Sequence, residues 1–232
     1  SEEKNSEEKD KQEKGVRKES HPEKDFEKSR YRQTGRRNRQ RVAALSGRHL
    51  LAISEAVQCL QDGEVIAYPT EAVFGLGCDP LNETAVRKLL ALKDRPAEAG
   101  LILIADVFDR FEPYIKPPEA GQKERAMATW PGPVTWLFPR NQSVPDWLAG
   151  QHETIAIRVS AHPVCRALCA AFGGAIVSTS ANPRQGAPAM NAGEVEAYFG
   201  SALCGTVAGD LGAGNRPSEI RDLATGRVLR EG

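Results

Sequence analysis

No stretch of this 232-residue chain is apolar for long enough to cross a bilayer, and residues 1–30 lack the apolar core of a secretory signal. The N-terminus is also rich in acids, unlike a mitochondrial presequence. Cysteine is sparse: Cys59, Cys78, Cys165, Cys169 and Cys204 are scattered without a small-domain framework, and the odd count leaves one unpaired. That usage predicts reduced thiols in a cytosol-like compartment, and together these absences predict a soluble, cytoplasmic protein with no membrane partner. Histidine is rare too. His49, His152 and His162 sit in no partner motif and there is no G-x-S-x-G, which excludes a Ser-His-Asp hydrolase. Cys165 and Cys169 lie one helical turn apart near His162, but the paired halves of a zinc site are missing, so no protein metal site is expected. There is no Walker A motif, no third glycine after Gly75-x-Gly77 at the dinucleotide spacing, and no internal repeat.

A net charge is lacking as well, since Lys plus Arg and Asp plus Glu each total 31. The balance hides an asymmetry. Residues 1–41 hold 14 Lys/Arg against 10 Asp/Glu, and the remainder holds 17 against 21. Only Val16, Phe26 and Tyr31 are large apolar residues in that N-terminal stretch, too few to offset the entropy of ordering it. Composition therefore predicts a disordered charged tail over 1–41 and one domain over 42–232. Within the tail, residues 28–41 carry seven cations and no acid. Such a run is either a solvated extension or a basic arm that contacts RNA phosphates.

What is present after Val42 is a regular alternation of strands and helices. Leu50, Ile53, Val57 and Leu60 recur at helical spacing up to Gly63, and Val65–Tyr68 reads as a buried strand stopped by Pro69. A helix is predicted over Glu83–Leu92, and the apolar run Leu101–Ile104 reads as a central strand covered on both faces. Val134–Phe138 and Thr154–Val159 are further strands, the second followed by a helix over Pro163–Phe172. Ala175–Val177 leads into Ser178-Thr179-Ser180, and Asn182–Ala189 reads as a loop before a helix at Glu194–Phe199. Short strands near Thr206, Glu219–Leu223 and Val228–Leu229 complete an α/β chain with a central sheet.

Four segments combine chemistry with position. In Tyr68-Pro69-Thr70, a hydroxyl follows a strand end, where ligands of open α/β sheets sit. In Lys93-Asp94-Arg95-Pro96, two cations project to one side of extended backbone, a pairing that suits a polyphosphate or equally a helix C-terminus. Along Thr154–Val159, Thr154, Ala156 and Arg158 share one face, and an arginine in an apolar strand requires an anionic partner from the protein or a ligand. Ser178-Thr179-Ser180-Ala181-Asn182-Pro183 gathers hydroxyl and amide groups after a strand, as an oxyanion-binding loop or a plain turn would.

With Trp130–Thr135 between the second and third, these segments resemble the YrdC/Sua5 family, most nearly its short bacterial form. The matching stretches are Ala67–Pro80, Leu89–Ala105, Trp130–Phe138, Ala156–Pro163, Ser178–Asn182 and Pro217–Asp222. The resemblance implies a twisted, open, mainly antiparallel α/β sheet with flanking helices and a large concave cavity. It implies an enzyme, a nucleotidyltransferase that joins ATP, L-threonine and bicarbonate into L-threonylcarbamoyl-AMP and pyrophosphate, with Mg2+ accompanying ATP. The product would serve proteins that transfer threonylcarbamoyl to adenosine at position 37 of tRNAs reading ANN codons. Carried over by motif, Lys93 and Arg95 would hold ATP phosphates, with Thr154, Ser180 and Asn182 also at the nucleotide. Thr70, Arg158 and Ser178 would hold threonine, with Arg158 on its carboxylate, and Ser218 would line the site.

This sequence departs from the long form of the family in two places. Leu101–Ile104 is apolar where long members carry a histidine, and Ser218-Glu219-Ile220 differs from their S-T-[IV]. Two other functions compete with the synthase. One is a carbamoyl-adenylate-forming enzyme of the hydrogenase-maturation type. The other is a non-catalytic RNA-binding module, against which the acidic balance of the body counts.

Overall fold

The computed structural model describes residues 50–214 and 216–232. The basic arm at 28–41 and the predicted tail lie outside them. Among the described residues ten strands form one sheet in the order β1-β8-β2-β3-β7-β4-β6-β5-β9-β10. In chain order they are β1 (Leu50–Leu51), β2 (Ile66–Pro69), β3 (Phe74–Gly77), β4 (Ile102–Ala105), β5 (Val134–Pro139), β6 (Thr154–Val159), β7 (Ile176–Ser180), β8 (Gly205–Val207), β9 (Glu219–Asp222) and β10 (Val228–Arg230). The helices are α1 (Ile53–Gln61), α2 (Glu83–Leu92), α3 (Gln122–Met127), α4 (Asp146–Ala149), α5 (Pro163–Phe172) and α6 (Ala192–Phe199). Of the nine strand adjacencies five are antiparallel, so the sheet is mixed, with antiparallel pairs the majority.

Period-two alternation decides which face each strand residue reaches. Leu103, Ala105, Ile155, Ile157, Val159, Trp136, Phe138 and Val177 face the larger core, with the inner faces of α2 and the Phe108–Phe111 turn. On the opposite face, Ile66, Tyr68, Ile104 and Ile176 pack beneath α1 and α5. Those two helices cover only one end of that face. Beyond that end, Ile102 of β4, Ala156 of β6, Leu137 of β5 and Ser178 of β7 stand in a cross-strand row that lines a cavity.

Three expectations change. Leu50 and Leu51 form a short parallel strand against β8 rather than the first turn of a helix, so α1 begins at Ile53. Ser178–Ser180 continue β7 instead of leaving it, because Gly75 and Leu76 of β3 pair with Ser180 and Thr179. Gly77 permits that approach: a Cβ there would lie 2.6 Å from the Val177 carbonyl and 2.7 Å from the Tyr68 ring. Finally, the thiols are not all reduced. Cys59 of α1 and Cys204, just before β8, are joined as a disulfide, their Cα atoms 6.2 Å apart and within bridging reach. Cys78, Cys165 and Cys169 are free and buried.

Candidate functional site

The cavity holds about 530 Å³. Its wall draws on the segment after β2 (Thr70 to Val73), the turn after α2 (Arg95, Ala99 to Leu101), the β6 face (Thr154, Ala156, Arg158), the end of β7, and the C-terminal residues Arg216 to Ser218 with Arg230. Seven predicted residues line it: Thr70, Arg95, Thr154, Arg158, Ser178, Ser180 and Ser218. The other two, Lys93 and Asn182, stand directly behind the wall.

Lys93, expected to hold phosphates, stands behind the cavity wall. It follows α2 and is buried, and its ammonium donates to the Ser180 carbonyl, to the Asn182 carbonyl at 2.8 Å and to Asn182 Oδ1 at 3.3 Å. An ammonium has three protons, so all are engaged by the Ser180–Asn182 turn. Asn182 in turn donates to the carbonyls of Pro183 (3.0 Å) and Gly186 (2.8 Å) and accepts from Ser180 Oγ at 2.5 Å. These bonds tie Lys93 to the turn that carries Ser180 into the cavity wall. Burial, and next the charge of Arg95, push its ammonium down to about 8.

That position gives a pH dependence with a definite sign. Above about 8 Lys93 becomes a neutral amine with two donors and a lone pair, which faces an oxygen it once bonded. We expect kcat/KM for a ligand held against this turn to fall as pH rises through about 8. Lys93→Arg, protonated throughout, should lack that falling limb. A wild-type profile identical in shape to that of Lys93→Arg would remove the turn-fixing role.

The backbone before Arg95 is not the extended run expected, since Lys93 is helical and Asp94 left-handed (φ 46°), yet Arg95 reaches the cavity and its Nη2 donates to the carbonyls of Ala99 (3.2 Å) and Gly100 (2.8 Å). Arg158 projects from β6 at the boundary between the α5-covered end and the cavity. Its Nη1 donates to Glu71 Oε2 at 2.7 Å, while its Nε is buried without a partner among the described residues. The anion that an arginine in an apolar strand demanded is therefore, in part, a protein carboxylate. Burial works against the charge of Glu71, but Arg158 and the hydroxyl of Ser160 outweigh it and hold the carboxyl below its ordinary range.

The hydroxyls have directions. Thr70 Oγ1 donates to the Val73 carbonyl at 2.6 Å, so toward the cavity it can only accept. Ser180 Oγ, spent on Asn182, likewise offers lone pairs. Ser218 Oγ accepts from Thr135 Oγ1 at 3.0 Å and from Arg230 Nη2 at 3.4 Å, which leaves its own proton to donate.

Arg216, Arg230 and Glu71 are site residues that the sequence reading did not single out. Arg230 is tied to the Ser218 carbonyl at 2.6 Å, and burial, followed by the charges of Arg158 and Arg95, lowers its guanidinium from the ordinary value. Four arginines thus face one lining carboxylate, Glu71, in a domain that is acidic overall. Such a concentration of like charge in a shielded concavity favours polyanions. Among the described residues no group of three His, Cys, Asp or Glu side chains stands together as a metal site. The Ser180 hydroxyl is a hard oxygen donor of the kind that Mg2+ accepts alongside phosphate oxygens.

Comparisons with known proteins place the chain in a family. The Sua5/YciO/YrdC family, described as telomere recombination, matches residues 58–232. The chain is 51% identical over 178 residues to the threonylcarbamoyl-AMP synthase of Cellvibrio japonicus, covering 77% of this chain and 94% of that one. It is 47% identical over 179 residues to the synthase of the same name from Coxiella burnetii, covering 77% and 96%. Among solved structures, P. abyssi Sua5 complexed with L-threonine superposes with a TM-score of 0.72 at 29% identity, covering 79% of this chain and 55% of that chain. The chain therefore spans about half the length of that longer protein.

Proposed function

The chain belongs to the Sua5/YciO/YrdC family, and on that premise we propose that it is a threonylcarbamoyl-AMP synthase, joining ATP, L-threonine and bicarbonate into L-threonylcarbamoyl-AMP and pyrophosphate. The observation that carries the proposal is the cavity itself, lined by four arginines and six serine or threonine residues from strand ends, the turn after α2 and the C-terminal segment. The co-occurrence of a triphosphate and an amino-acid carboxylate accounts for that much positive charge in one place. Relatives at about half identity over nearly their full length carry the synthase name, which favours this reading over a hydrogenase-maturation enzyme or an RNA-binding module.

The chemistry asks mainly for positioning and charge neutralisation. Bicarbonate takes up a proton and gives CO₂ and water, threonine's neutral amine adds to CO₂ and loses a proton to become the carbamate, and a carbamate oxygen attacks the α-phosphate while pyrophosphate leaves. Arg95 holds the phosphates, with Thr154, Ser180 and Asn182 at the nucleotide and Lys93 fixing the turn that carries the last two. Mg2+ supplied with ATP would neutralise phosphate charge, and the Ser180 hydroxyl is the protein oxygen that would stand nearest to hold it. Arg158 takes the threonine carboxylate, and Ser178 donates beside it. Thr70, an acceptor only, suits the N–H or hydroxyl of threonine. Ser218, Arg216 and Arg230 close the C-terminal side. The product then passes to proteins that modify tRNA, and the arm at 28–41 is a candidate RNA contact. Incubation with ATP, Mg2+, labelled bicarbonate and each amino acid in turn tests the assignment. A labelled adenylate formed only with threonine is the expected result, and one formed without an amino acid would overturn it.

A further inference from the structure

Glu71 has a place in the site that no motif reading gave it. It follows Thr70 at the end of β2, whereas Arg158 lies on β6, and three strands (β3, β7 and β4) separate the two in the sheet. The threonine site as proposed therefore consists of two halves that no strand pairing joins directly. Glu71 spans the gap. Its Oε2 accepts from Arg158 Nη1 at 2.7 Å, and its Oε1 accepts from Ser160 Oγ at 2.7 Å and from the Ala161 backbone N–H at 3.1 Å.

The backbone around Glu71 is clamped as well. The Gly212 N–H donates to the Thr70 carbonyl at 3.0 Å and the Gly214 N–H to the Glu71 carbonyl at 2.8 Å. A Cβ on Gly212 would lie 2.9 Å from Glu71 Cα, and one on Gly214 2.8 Å from the Glu71 carbonyl oxygen, so only glycines can run this close. One side of Glu71 is thus fixed by the Gly212–Gly214 backbone and the other by the end of β6.

We infer that Glu71 is a positioning residue for threonine, a carboxylate strut that sets the distance between Thr70 and Arg158 and turns the guanidinium toward the substrate carboxylate. The inference rests on the threonine reading of this cavity. Chemistry makes the requirement strict, because both oxygens must accept. An amide in the same place has one acceptor and one donor. If its oxygen meets Arg158, its NH₂ faces the Ala161 N–H; if its oxygen meets Ala161, its NH₂ faces Arg158. Glu71→Gln keeps size and shape and cannot satisfy both ends.

The test is steady-state kinetics of the full chain with each substrate varied separately, beside melting curves. Glu71→Gln should raise the threonine KM by at least about tenfold, as a displaced binding group does, with the ATP KM changed by less than about threefold. Because the strut works through Arg158, adding Glu71→Gln to Arg158→Lys should raise the threonine KM by less than about threefold more. A buried acid with a merely structural role would give no such selectivity or coupling. If Glu71→Gln does not fold, Glu71→Asp, which keeps both acceptors on a shorter stem, should show the same substrate selectivity. Parallel rises in both KM values with a lowered Tm, or additive effects in the double variant, would overturn the strut. An unmoved threonine KM in Glu71→Gln, with Arg158→Lys still impaired, would overturn it while leaving the threonine reading in place. An unmoved threonine KM in Arg158→Lys itself would remove that reading and the strut with it.

Discussion

Arg95→Ala is expected to cut threonine-dependent pyrophosphate release by at least about tenfold, and Lys93→Ala to do so by a comparable factor through a different route. Arg95 lines the cavity with one nitrogen engaged by the Ala99 and Gly100 carbonyls, so its guanidinium is held in place before any ligand arrives. Fixed cations of this kind stabilise charge developing on a transferring phosphoryl group without reorganising, and loss of a single such group commonly costs one to three orders of magnitude in rate. Lys93 holds the turn behind the cavity wall. Its removal leaves the Asn182 carbonyl without its donor and the Ser180 carbonyl with only the Asn182 N–H, and the Ser180–Asn182 turn is free to relax. The measurement is pyrophosphate release at saturating threonine, beside a melting curve for each variant. Near-normal turnover in both folded variants would sink the assignment of this wall to ATP.

Arg158→Lys is expected to raise the threonine KM about tenfold to a hundredfold, the equivalent of roughly 1.5–3 kcal/mol for a charge-assisted bond in a shielded site. The structure sharpens the reason. Arginine can donate to Glu71 from one nitrogen and still present another edge of its planar fork to a substrate carboxylate. Lysine keeps the charge on a single nitrogen, which the Glu71 carboxylate will occupy. The ATP KM should stay nearly unchanged and the melting temperature should shift little, because the ion pair with Glu71 survives. Parallel losses for both substrates with a lowered Tm would instead make Arg158 a purely structural partner of Glu71.

These residues show where sequence is informative and where it stops. Thr154, Ala156 and Arg158 could be placed on one face because strand alternation is local, and all three line the cavity. Helices α2 and α5 were legible to the residue, since an asparagine cap opens one and Pro163 opens the other. The partners of Lys93 were not legible, as they lie 87 and 89 residues away. Nor was β1, two residues long and defined only by pairing with β8. Ser178–Ser180 have the composition of a turn and become strand because β3 pairs with them. Glu71 left a faint trace in the sequence. An arginine inside an apolar strand must find an acid, and the acid adjoining a predicted ligand-binding hydroxyl was a candidate that spacing alone could not select. Arg216 and Arg230 left none, because only the folded C-terminal segment brings them to the cavity.

The central claim is that one cavity accepts ATP and threonine together, and the most direct test is the dependence of pyrophosphate release on threonine. Full-length protein incubated with ATP, Mg2+ and labelled bicarbonate should release pyrophosphate and form labelled adenylate in equal amounts when threonine is added, and neither in its absence. Pyrophosphate release at the same rate with or without threonine, or with no label reaching the adenylate, would contradict the account.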